Sequence, residues 1–316
     1  MIRVAIDAMG GDLGPRIAFQ ATEKIVAAFT DVEAHFYFDP QEFDFPVESP
    51  SSRIIPVACH DSVSCMEVVD RSLFKRVDST IYRSLVDMSE AKTDVVVTFG
   101  NTAVMVALAR HIVGLLRPKL YPALIREMRP NPLRCLVDLG ANVHCPAEML
   151  NGFALLGASY VEARSDSEAN VALLNVGVET SKGSSVIKEC YQMLSEQAWP
   201  KFTGFAEGFE LFSGEKNVIV CDGMVGNAVL KASEGLFMFL LSQLPKHSMD
   251  TSAIEKLVQA ESRHGACLVG IKGNLVKGHG RSDLKAMMGA IEYGIDIART
   301  NLYKRIETKL TQQGVL

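Results

Sequence analysis

The chain has 316 residues, of which 48% are hydrophobic and 22% are charged, proportions that are typical of a globular protein with a core of ordinary size. A formal net charge of −5 excludes a general attraction to nucleic acid or to anionic lipid, so we expect no nucleic-acid partner. The 7 cysteines form no zinc-type spacing, and the amino-terminal residues resemble a strand rather than a signal peptide. We therefore expect reduced, buried thiols in a cytoplasmic protein without a transmembrane helix.

Short apolar runs alternate with longer helical patterns along the chain, and several runs are apolar throughout, as is typical of strands buried on both faces. The predicted strands are Arg3–Asp7, Ala34–Phe38, Ile54–Val57, Asp94–Thr98, Leu133–Asp138, Val171–Val176, Val218–Cys221, Ala266–Ile271 and Asn274–Lys277. The predicted helices are Arg16–Phe29, Ser79–Met88, Thr102–Leu115, Pro146–Ser159, Ser184–Gln197, Asn227–Leu244, Ile254–Arg263 and Ser282–Thr311. This order predicts a mostly parallel sheet with helices on both faces.

The sequence contains no linker of low complexity, so we predict one large α/β domain over residues 1–316. The irregular segment Pro245–Thr251 separates two helical patterns, which predicts a helical hairpin over residues 227–263 that projects from the sheet. An apolar stripe on this hairpin is expected in ordinary core or in a dimer seam; its members are Leu236, Phe239, Leu240 and Leu244. Exposed apolar positions on a hairpin need a partner, most simply a second copy of the chain.

Glycine-bearing turns follow six of the predicted strands. One such turn says little, because glycine simply permits a tight connection between a strand and a helix. In open α/β sheets, however, ligands bind beyond the carboxyl ends of the strands, so six turns at one edge predict a long cleft lined by backbone amides. The six turns are Ile6–Asp12, Phe99–Thr102, Leu139–Pro146, Gly177–Gly183, Asp222–Asn227 and Val276–Asp283.

The turn Val276–Asp283 also carries cationic side chains and a hydroxyl at the start of a predicted helix. The amino-terminal end of a helix has unpaired N–H groups and a positive dipole, so this turn predicts a site for an oxyanion such as phosphate. A plain turn in which Ser282 caps the helix is the structural alternative. The candidate phosphate-binding residues are Gly10, Gly11, Gly100, Asn101, Lys277, Gly278, Gly280, Arg281 and Ser282.

Two further side chains follow other predicted strands. Lys182 is interpreted either as a lysine that reaches into the cleft or as a solvated loop residue, and Asn227 either as a helix cap or as a donor to a ligand. The candidate catalytic residues are Lys182, Asn227 and His279. The further candidate residues of the substrate cleft are Asp7, Asp12, Asn142, Asp222 and Asp283.

No nucleotide or metal motif accompanies these turns. The lysine-containing P-loop pattern is absent, and Gly10–Gly14 does not match the dinucleotide pattern. Asp7 and Asp12 could bind a metal ion, but a carboxylate at a strand end or a helix cap is the commoner case. We therefore expect no cofactor and no metal.

Six ordered blocks carry a resemblance to one family of enzymes. They are Asp7–Asp12, Gly100–Thr102, Asp138–Asn142, Leu173–Gly177 with Lys182–Gly183, Asp222–Asn227 and Lys277–Asp283. In these blocks the chain resembles the bacterial phosphate acyltransferases of the PlsX family. The resemblance implies a Rossmann-like three-layer α/β/α fold related to isopropylmalate dehydrogenases and phosphotransacetylases. It also implies a homodimer and the transfer of a long acyl chain from acyl carrier protein to inorganic phosphate, in phospholipid biosynthesis.

The chain departs from the family pattern in several places. Phe99 stands where the family usually has alanine, Phe205 replaces a polar residue, and Arg263 and His264 replace a tyrosine and a glycine. Some relatives touch the membrane through the hairpin, so contact with the inner face of the membrane, or with a downstream glycerol-phosphate acyltransferase, stays open. Two alternative functions also stay open: a non-catalytic scaffold that binds acyl carrier protein, and another phosphotransacetylase or dehydrogenase-type enzyme on this fold. A basic docking patch for the acidic carrier is predicted at Arg110, Arg117, Lys119, Arg126 and Arg129.

Overall fold

The computed structural model describes residues 1–46, 51–130, 132–212, 215–243 and 265–316. The chain divides into two compact units. The first comprises Met1–Pro122 with Gly265–Thr308, and the second comprises Ala123–His264 with Lys309–Leu316. A single domain over residues 1–316 stays a prediction, because a division by packing does not decide whether the two units unfold together.

Strands and helices alternate through the described residues. The strands are β1 (Ile2–Asp7), β2 (Val32–Phe38), β3 (Ile54–Ala58), β4 (Val95–Thr98), β5 (Ala123–Pro130), β6 (Leu133–Val137), β7 (Asn170–Leu174), β8 (Lys201–Ala206), β9 (Val218–Val220), β10 (Ala266–Val269) and β11 (Leu275–Lys277). The helices are α1 (Pro15–Ala28), α2 (Thr80–Ser89), α3 (Thr102–Ile112), α4 (Ala147–Ser165), α5 (Ser185–Ser195), α6 (Gly223–Gln243), α7 (Leu284–Arg299) and α8 (Leu302–Gln312). Short 3-10 helices lie at Leu73–Lys75 and Gly208–Leu211.

The first unit is built on a sheet with the strand order β3-β2-β1-β4-β11-β10. Its neighbouring strands run parallel except for β10 and β11, which pair antiparallel. The register places Asp7 of β1 opposite Thr98 of β4, and Thr98 opposite Lys277 of β11. The last residues of three adjacent parallel strands therefore stand level at the carboxyl edge of this sheet, where ligands bind in open α/β folds.

Helices cover both faces of the first unit's sheet. Phe36 and Tyr37 follow one another in β2, so their side chains point to opposite faces. Phe36 packs against Phe19 of α1, with 5.4 Å between the ring centroids, whereas the Tyr37 hydroxyl donates to Asp87 of α2 at 2.7 Å. Helix α7 packs beside α1, and α3 packs beside α2. This unit therefore has the three layers expected of the α/β class.

The second unit is built on a sheet with the order β5-β6-β9-β7-β8, in which β5 and β6 pair antiparallel and the other neighbours are parallel. Helix α4 lies close to this sheet at Gly157, where an added Cβ would stand 2.6 Å from Cγ1 of Val218. The ring of Tyr191 in α5 packs 4.9 Å from the ring of Phe205 in β8. Phe205 is 3% exposed, so this departure from the family pattern is a core residue of the second unit.

Two strands are missing from the sequence-based prediction. Strand β5 contains Arg126 and Glu127, and strand β8 contains Lys201 and Gly204, so neither is a continuous apolar run. β5 is buried, and its Glu127 is tolerated there because Oε1 accepts the hydroxyl of Tyr160 at 2.6 Å. β8 ends the strand order of its sheet, where polar residues can reach solvent.

The helix predicted over Ser282–Thr311 is wrong as a single element, because α7 and α8 are separate helices. The chain breaks at Asn301, whose φ of 48° lies in the left-handed region that asparagine adopts at low cost. Helix α6 begins at Gly223, before the predicted start at Asn227, and the rest of the predicted hairpin lies outside the described residues. The predicted helix over Ile254–Arg263 lies there too.

The cysteines are free thiols, and most of them are buried. The prediction of buried thiols is wrong for Cys65, which is exposed, and only partly right for Cys145, which is half-buried. Within the described residues, no helix combines the length and the apolar character needed to cross a membrane.

Candidate functional site

In the first unit, the level strand ends bring an acid, a hydroxyl and an amine side by side. The Thr98 hydroxyl donates to Oδ2 of Asp7 at 2.6 Å, and both side chains are buried. Asp7 Oδ1 is buried without a hydrogen-bond partner among the described residues. Burial raises the pKa of Asp7, while the hydroxyls of Thr98 and Thr80 and the charge of Lys277 oppose that rise.

Lys277 is the cation at these strand ends. Burial lowers the pKa of its amine to about 8, while the carboxylates of Asp7 and Asp12 oppose the shift. Its Nζ donates to the backbone oxygen of Gly278. The first unit therefore holds, at the end of β11, an amine that gains and loses its proton near neutral pH.

Close backbone packing explains two of the glycines in this cluster. An added Cβ on Gly10 would overlap the backbone of Gly100, and one on Gly278 would overlap the ring of Phe99. Neither glycine has a positive φ, so space rather than backbone conformation requires glycine there. The turns that follow β1, β4 and β11 thus pack directly against one another.

A hydrogen bond and a charge contact join the first turn to the last. The N–H of Asp12 donates to the backbone oxygen of Gly280 at 2.8 Å, and an added Cβ on Gly280 would stand 3.2 Å from Oδ1 of Asp12. Nε of Arg281 lies 3.8 Å from Oδ2 of Asp12, and the Arg281 side chain is 85% exposed. A carboxylate thus accompanies the cations of this turn.

The cap of α7 differs from the sequence-based expectation. Asp283, not Ser282, is the N-cap residue, and its Oδ1 accepts the N–H of Ala286 at 2.8 Å. Ser282 is 5% exposed, and its N–H donates to the backbone oxygen of His279 at 3.0 Å. His279 is exposed, and its Nδ1, which carries no proton in this tautomer, accepts the N–H of Arg281 at 3.2 Å. The structural alternative, in which Ser282 caps the helix, is therefore wrong.

Both the oxygen and the nitrogen of the Asn101 side-chain amide form hydrogen bonds with backbone groups. Its Oδ1 accepts the N–H groups of Ala103 at 2.9 Å and Val104 at 3.3 Å, which makes it the N-cap of α3. Its Nδ2 donates to the backbone oxygens of Cys65 at 2.9 Å and Glu67 at 3.1 Å. The predicted phosphate ligand is thus a capping and anchoring residue in this structure.

The second unit gathers its own polar cluster around Asp138, which is fully buried. Its Oδ1 accepts the N–H groups of Leu124 at 2.8 Å and Ala141 at 3.1 Å, and its Oδ2 accepts the N–H of Asn142 at 2.7 Å and Nδ2 of that residue at 3.1 Å. Burial raises the pKa of Asp138, and these four hydrogen bonds oppose the rise. Asp138 was not among the predicted site residues, although it opens one of the six blocks that carry the family resemblance.

The turns after β6 and β9 pack together in this unit. An added Cβ on Gly223 would stand 2.7 Å from Cα of Gly140, and the N–H of Gly223 donates to the backbone oxygen of Asn142 at 2.8 Å. Asp222 accepts the N–H of Val225 at 2.8 Å, directly before the start of α6. Asn227 is therefore inside the helix, and its interpretation as a helix cap is wrong.

Lys182 lies in the exposed loop after β7. Its Nζ stands 2.9 Å from Oε1 of Glu179, and the two side chains are 48% and 56% exposed. The backbone oxygen of Lys182 accepts Nδ2 of Asn175 at 3.4 Å, and Gly183 has a φ of 93° that favours glycine. Lys182 is thus a solvated, ion-paired lysine held on a defined loop.

The predicted site residues fall into two clusters, one in each unit. The first unit brings together Asp7, Gly10, Gly11, Asp12, Gly100, Asn101, Lys277, Gly278, His279, Gly280, Arg281, Ser282 and Asp283. The second unit holds Asn142, Lys182, Asp222 and Asn227. Sequence reasoning did not name Thr98 or Asp138 as site residues, although each ends a predicted strand directly before a glycine turn, which was a usable signal. The single long cleft over all six turns stays a prediction.

The chain matches proteins of known family. A family model described as a fatty acid synthesis protein matches residues 2–305. The chain belongs to this family. Curated relatives named phosphate acyltransferase, from Vibrio vulnificus (strain YJ016) and Aliivibrio fischeri (strain MJ11), are 32% and 31% identical to it, and each alignment covers 98% of this chain and 96% of the relative. The protein is thus an acyltransferase of the PlsX family, as the six sequence blocks indicate.

Solved structures share the fold of this PlsX-family chain. A phosphotransacetylase from Streptococcus pyogenes superposes with a TM-score of 0.64 at 13% identity and covers 94% of both chains. A 4-hydroxythreonine-4-phosphate dehydrogenase from Klebsiella pneumoniae superposes with a TM-score of 0.54 at 11% identity, covering 94% of this chain and 99% of its own. At such identities the likeness shows the fold alone. The predicted α/β class, shared with phosphotransacetylases and dehydrogenases, is confirmed.

Proposed function

We propose that this protein transfers a long acyl chain from acyl carrier protein to inorganic phosphate, which yields acyl phosphate and free carrier protein for phospholipid biosynthesis. One observation supports phosphate as the acceptor. The strand ends of the first unit place the amine of Lys277 beside three closely packed glycine turns, at the edge where such folds bind ligands. Backbone N–H groups and a nearby cation together suit a small oxyanion.

The phosphate ligands are proposed from all three turns. Lys277 and Arg281 supply positive charge, Ser282 a hydroxyl, and Asn101 the positive end of the helix that it caps. Asp12 accompanies Arg281 in this cluster, so an incoming phosphate competes with that carboxylate for the guanidinium. Gly10, Gly11 and Gly280 are proposed to act through their backbone N–H groups. The N–H groups of Gly100 and Gly278 already donate to Thr98, at 3.1 Å to its hydroxyl oxygen and at 2.9 Å to its backbone oxygen, so these two glycines are proposed to line the site.

The chemical step is acyl transfer without a covalent enzyme intermediate. A phosphate oxygen attacks the thioester carbonyl carbon, a C–O bond forms, and the C–S bond breaks with its electron pair leaving on sulfur. The thiolate then takes a proton from water. A thiol has a pKa of about 8.5, so this leaving group needs little acid assistance. The protein must instead position the phosphate and stabilise the oxyanion that forms on the carbonyl.

Three side chains are proposed to serve that step. Lys182 and Asn227 stabilise the oxyanion, for which Lys182 exchanges its ion pair with Glu179 for the substrate. His279 hydrogen-bonds to phosphate and tunes its protonation. The proposed residues around the substrates are Asp7, Asp12, Asn142, Asp222 and Asp283.

The carrier protein is proposed to dock on basic residues, because carrier proteins are acidic. Arg110, Arg117 and Lys119 are exposed in the first unit and fit this role. Arg126 does not, since its side chain is 12% exposed and its Nη1 lies 3.1 Å from Oε1 of Glu234. The structure thus removes one residue from the predicted patch.

A homodimer is proposed through the outer face of α6. Three apolar side chains on one face of the helix expose half or more of their surface there: Leu236 58%, Phe239 59% and Leu240 50%. Apolar clusters of this kind on a soluble chain mark an interaction surface, for which a second copy is the simplest partner. A peripheral contact with the membrane or with a glycerol-phosphate acyltransferase would compete for the same face.

The activity is tested with purified protein, an acyl-carrier thioester and phosphate. We expect release of carrier thiol that depends on phosphate, together with an acyl phosphate that hydroxylamine traps. Lys182→Ala and His279→Ala are each expected to lower turnover by about 10²-fold if the side chain stabilises the transition state. Unchanged rates in both variants would remove these two residues from the mechanism.

The same assay separates the alternatives. A scaffold would bind the carrier protein without releasing thiol when phosphate is added. A dehydrogenase-type enzyme would be stabilised against heat by NAD, whereas the proposed enzyme gains no thermal stability from it. Either result would contradict the proposed reaction.

A further inference from the structure

Phe99 is a large apolar side chain set among glycines. It follows β4 directly, precedes Gly100 and is 1% exposed. An added Cβ on Gly11 would stand 3.6 Å from Cβ of Phe99, and one on Gly278 would overlap its ring. The ring therefore packs against the turn after β11, Cβ of Phe99 faces the turn after β1, and the backbone of Phe99 belongs to the turn after β4. The proposed reaction makes no use of this residue.

The contact between Phe99 and Gly278 is a matched pair. The backbone of Gly278 does not have a positive φ, so its conformation would admit alanine. What excludes a larger residue is the Phe99 ring, whose Cε1 and Cδ1 occupy the place of the missing Cβ. The N–H of Gly278 donates to the backbone oxygen of Thr98 at 2.9 Å, which fixes the glycine beside the residue that precedes the ring.

This pair lies where the proposed phosphate turn begins. The turn runs from Gly278 to the cap of α7 at Asp283, and the bond from Asp12 to Gly280 ties it to the first turn. A shift of Gly278 relative to β4 would therefore move the backbone N–H groups and side chains on both turns. Packed interiors transmit such shifts, because they contain little free space.

We propose that Phe99 is a positioning residue of the phosphate site. Its ring sets where the turn after β11 stands relative to β4, and the hydrogen bond from Asp12 to Gly280 passes that position on to the turn after β1. This inference rests on the proposed use of phosphate. Placement matters because a displacement of about 1 Å at a reacting group can cost about 10²-fold in rate. The ring acts through Gly278 and touches no substrate.

A double-mutant cycle tests the pair. Phe99→Ala removes the ring, and Gly278→Ala places a methyl group where the ring stands. Each change is expected to raise the KM for phosphate about tenfold and to leave the KM for the acyl-carrier thioester unchanged. In the variant that carries both changes, the methyl enters the space that the ring has left. Its KM for phosphate is expected to lie about fivefold or more below the product of the two single effects.

A matched control separates positioning from general loss of stability. Phe36 is fully buried in the same unit, but it packs with Phe19 of α1 rather than with the turns. Phe36→Ala removes a ring of the same size and is expected to lower the melting temperature comparably, with the KM for phosphate unchanged. If Phe99→Ala does not fold, Phe99→Leu replaces it in the cycle, since leucine keeps an apolar side chain at this site.

Two outcomes would overturn the inference. One is an additive cycle, in which the doubly substituted variant shows the product of the single effects. The other is a Phe99 variant that melts earlier but keeps the wild-type KM for phosphate. Protection of the wild-type protein from heat by inorganic phosphate is measured alongside. Absence of that protection, together with absence of thiol release, would defeat the proposed function itself rather than the role of Phe99.

Discussion

The amine of Lys277 is buried near the carboxylates of Asp7 and Asp12. Burial lowers the pKa of that amine to about 8, and the nearby charges of Asp7 and Asp12 only partly offset the loss of hydration. Below this pH the amine is protonated and attracts an oxyanion. Above it the amine is neutral, at a pH where an exposed lysine with a pKa near 10.4 would still be charged.

Phosphate binding is therefore expected to weaken above about pH 8, as Lys277 loses its proton. The KM for phosphate in the wild-type protein should rise between pH 8 and pH 9.5, with the KM for the thioester unchanged. Lys277→Met should raise the KM for phosphate about tenfold at pH 7, because a hydrogen bond to a charged group is lost, and should abolish the dependence on pH. Steady-state kinetics across this range measure both effects.

Lys272→Met is the matched control, since Lys272 is an exposed lysine of the same unit that lies outside the cluster. Its KM for phosphate should equal that of the wild-type protein at every pH. A wild-type KM that stays flat up to pH 9.5 would show that the Lys277 amine does not bind the phosphate.

Among the secondary-structure elements, the N-cap residues of the helices and the register of the strands hold the turns in place. Asn101 ends the extended backbone before α3 and also anchors the backbone at Cys65 and Glu67. Asp283 is the N-cap residue of α7. Each helix therefore begins at a defined distance from the strand that precedes it, which sets where its amino-terminal end stands.

Asn101→Ala and Asn101→Asp separate the capping role from the proposed phosphate contact. Alanine removes the cap and is expected to lower the free energy of unfolding by about 0.5–2 kcal/mol. Aspartate keeps the cap acceptor but loses the two hydrogen bonds from Nδ2 to the backbone at Cys65 and Glu67, so it is also expected to lose stability. Its negative charge should raise the KM for phosphate more than alanine does if phosphate binds nearby. Denaturant unfolding and kinetics are measured on both. An unchanged KM in the aspartate variant would leave Asn101 as a cap alone.

In the molecule as a whole, each of the two units has buried apolar strands and polar residues at its own strand ends. Helix α6 of the second unit is unusual, because its second half is apolar on the surface: Leu236, Phe239 and Leu240 recur at helical spacing and are exposed. Burying a side chain of this size stabilises an association by about 1.5–3 kcal/mol, so several together are enough to hold two copies.

Phe239→Glu is accordingly expected to convert a dimer into a monomer, because it places a charge in the apolar interface. Light scattering after gel filtration measures the mass at micromolar concentration. Met66→Glu is the control, since Met66 is 84% exposed in the first unit and should leave the mass unchanged. A wild-type protein that is already a monomer at this concentration would refute the proposed dimer.

The fold class and the family were both readable from the amino-acid sequence. Apolar runs such as Val95–Val97 are recognisable because a strand buried on both faces is apolar at nearly every residue. The glycine turns were visible for a similar reason, since close backbone approach leaves room for no other residue. Strand β5 escaped detection because it carries a charged residue that is buried with a hydrogen-bond partner, and β8 because it ends its sheet and exposes polar residues. The break at Asn301 escaped because a single left-handed residue leaves the periodicity of apolar residues intact.

Which groups of the site meet depends on the folded chain. Asp7, Thr98 and Lys277 lie far apart in the chain and stand level because of the strand register, which no local pattern encodes. The same holds for the hydrogen bond from Asp12 to Gly280 and for the ring of Phe99 against Gly278. Both contacts depend on packing between residues from distant parts of the sequence. Local sequence specifies the secondary structure, and the chemistry of the site follows from how those elements pack.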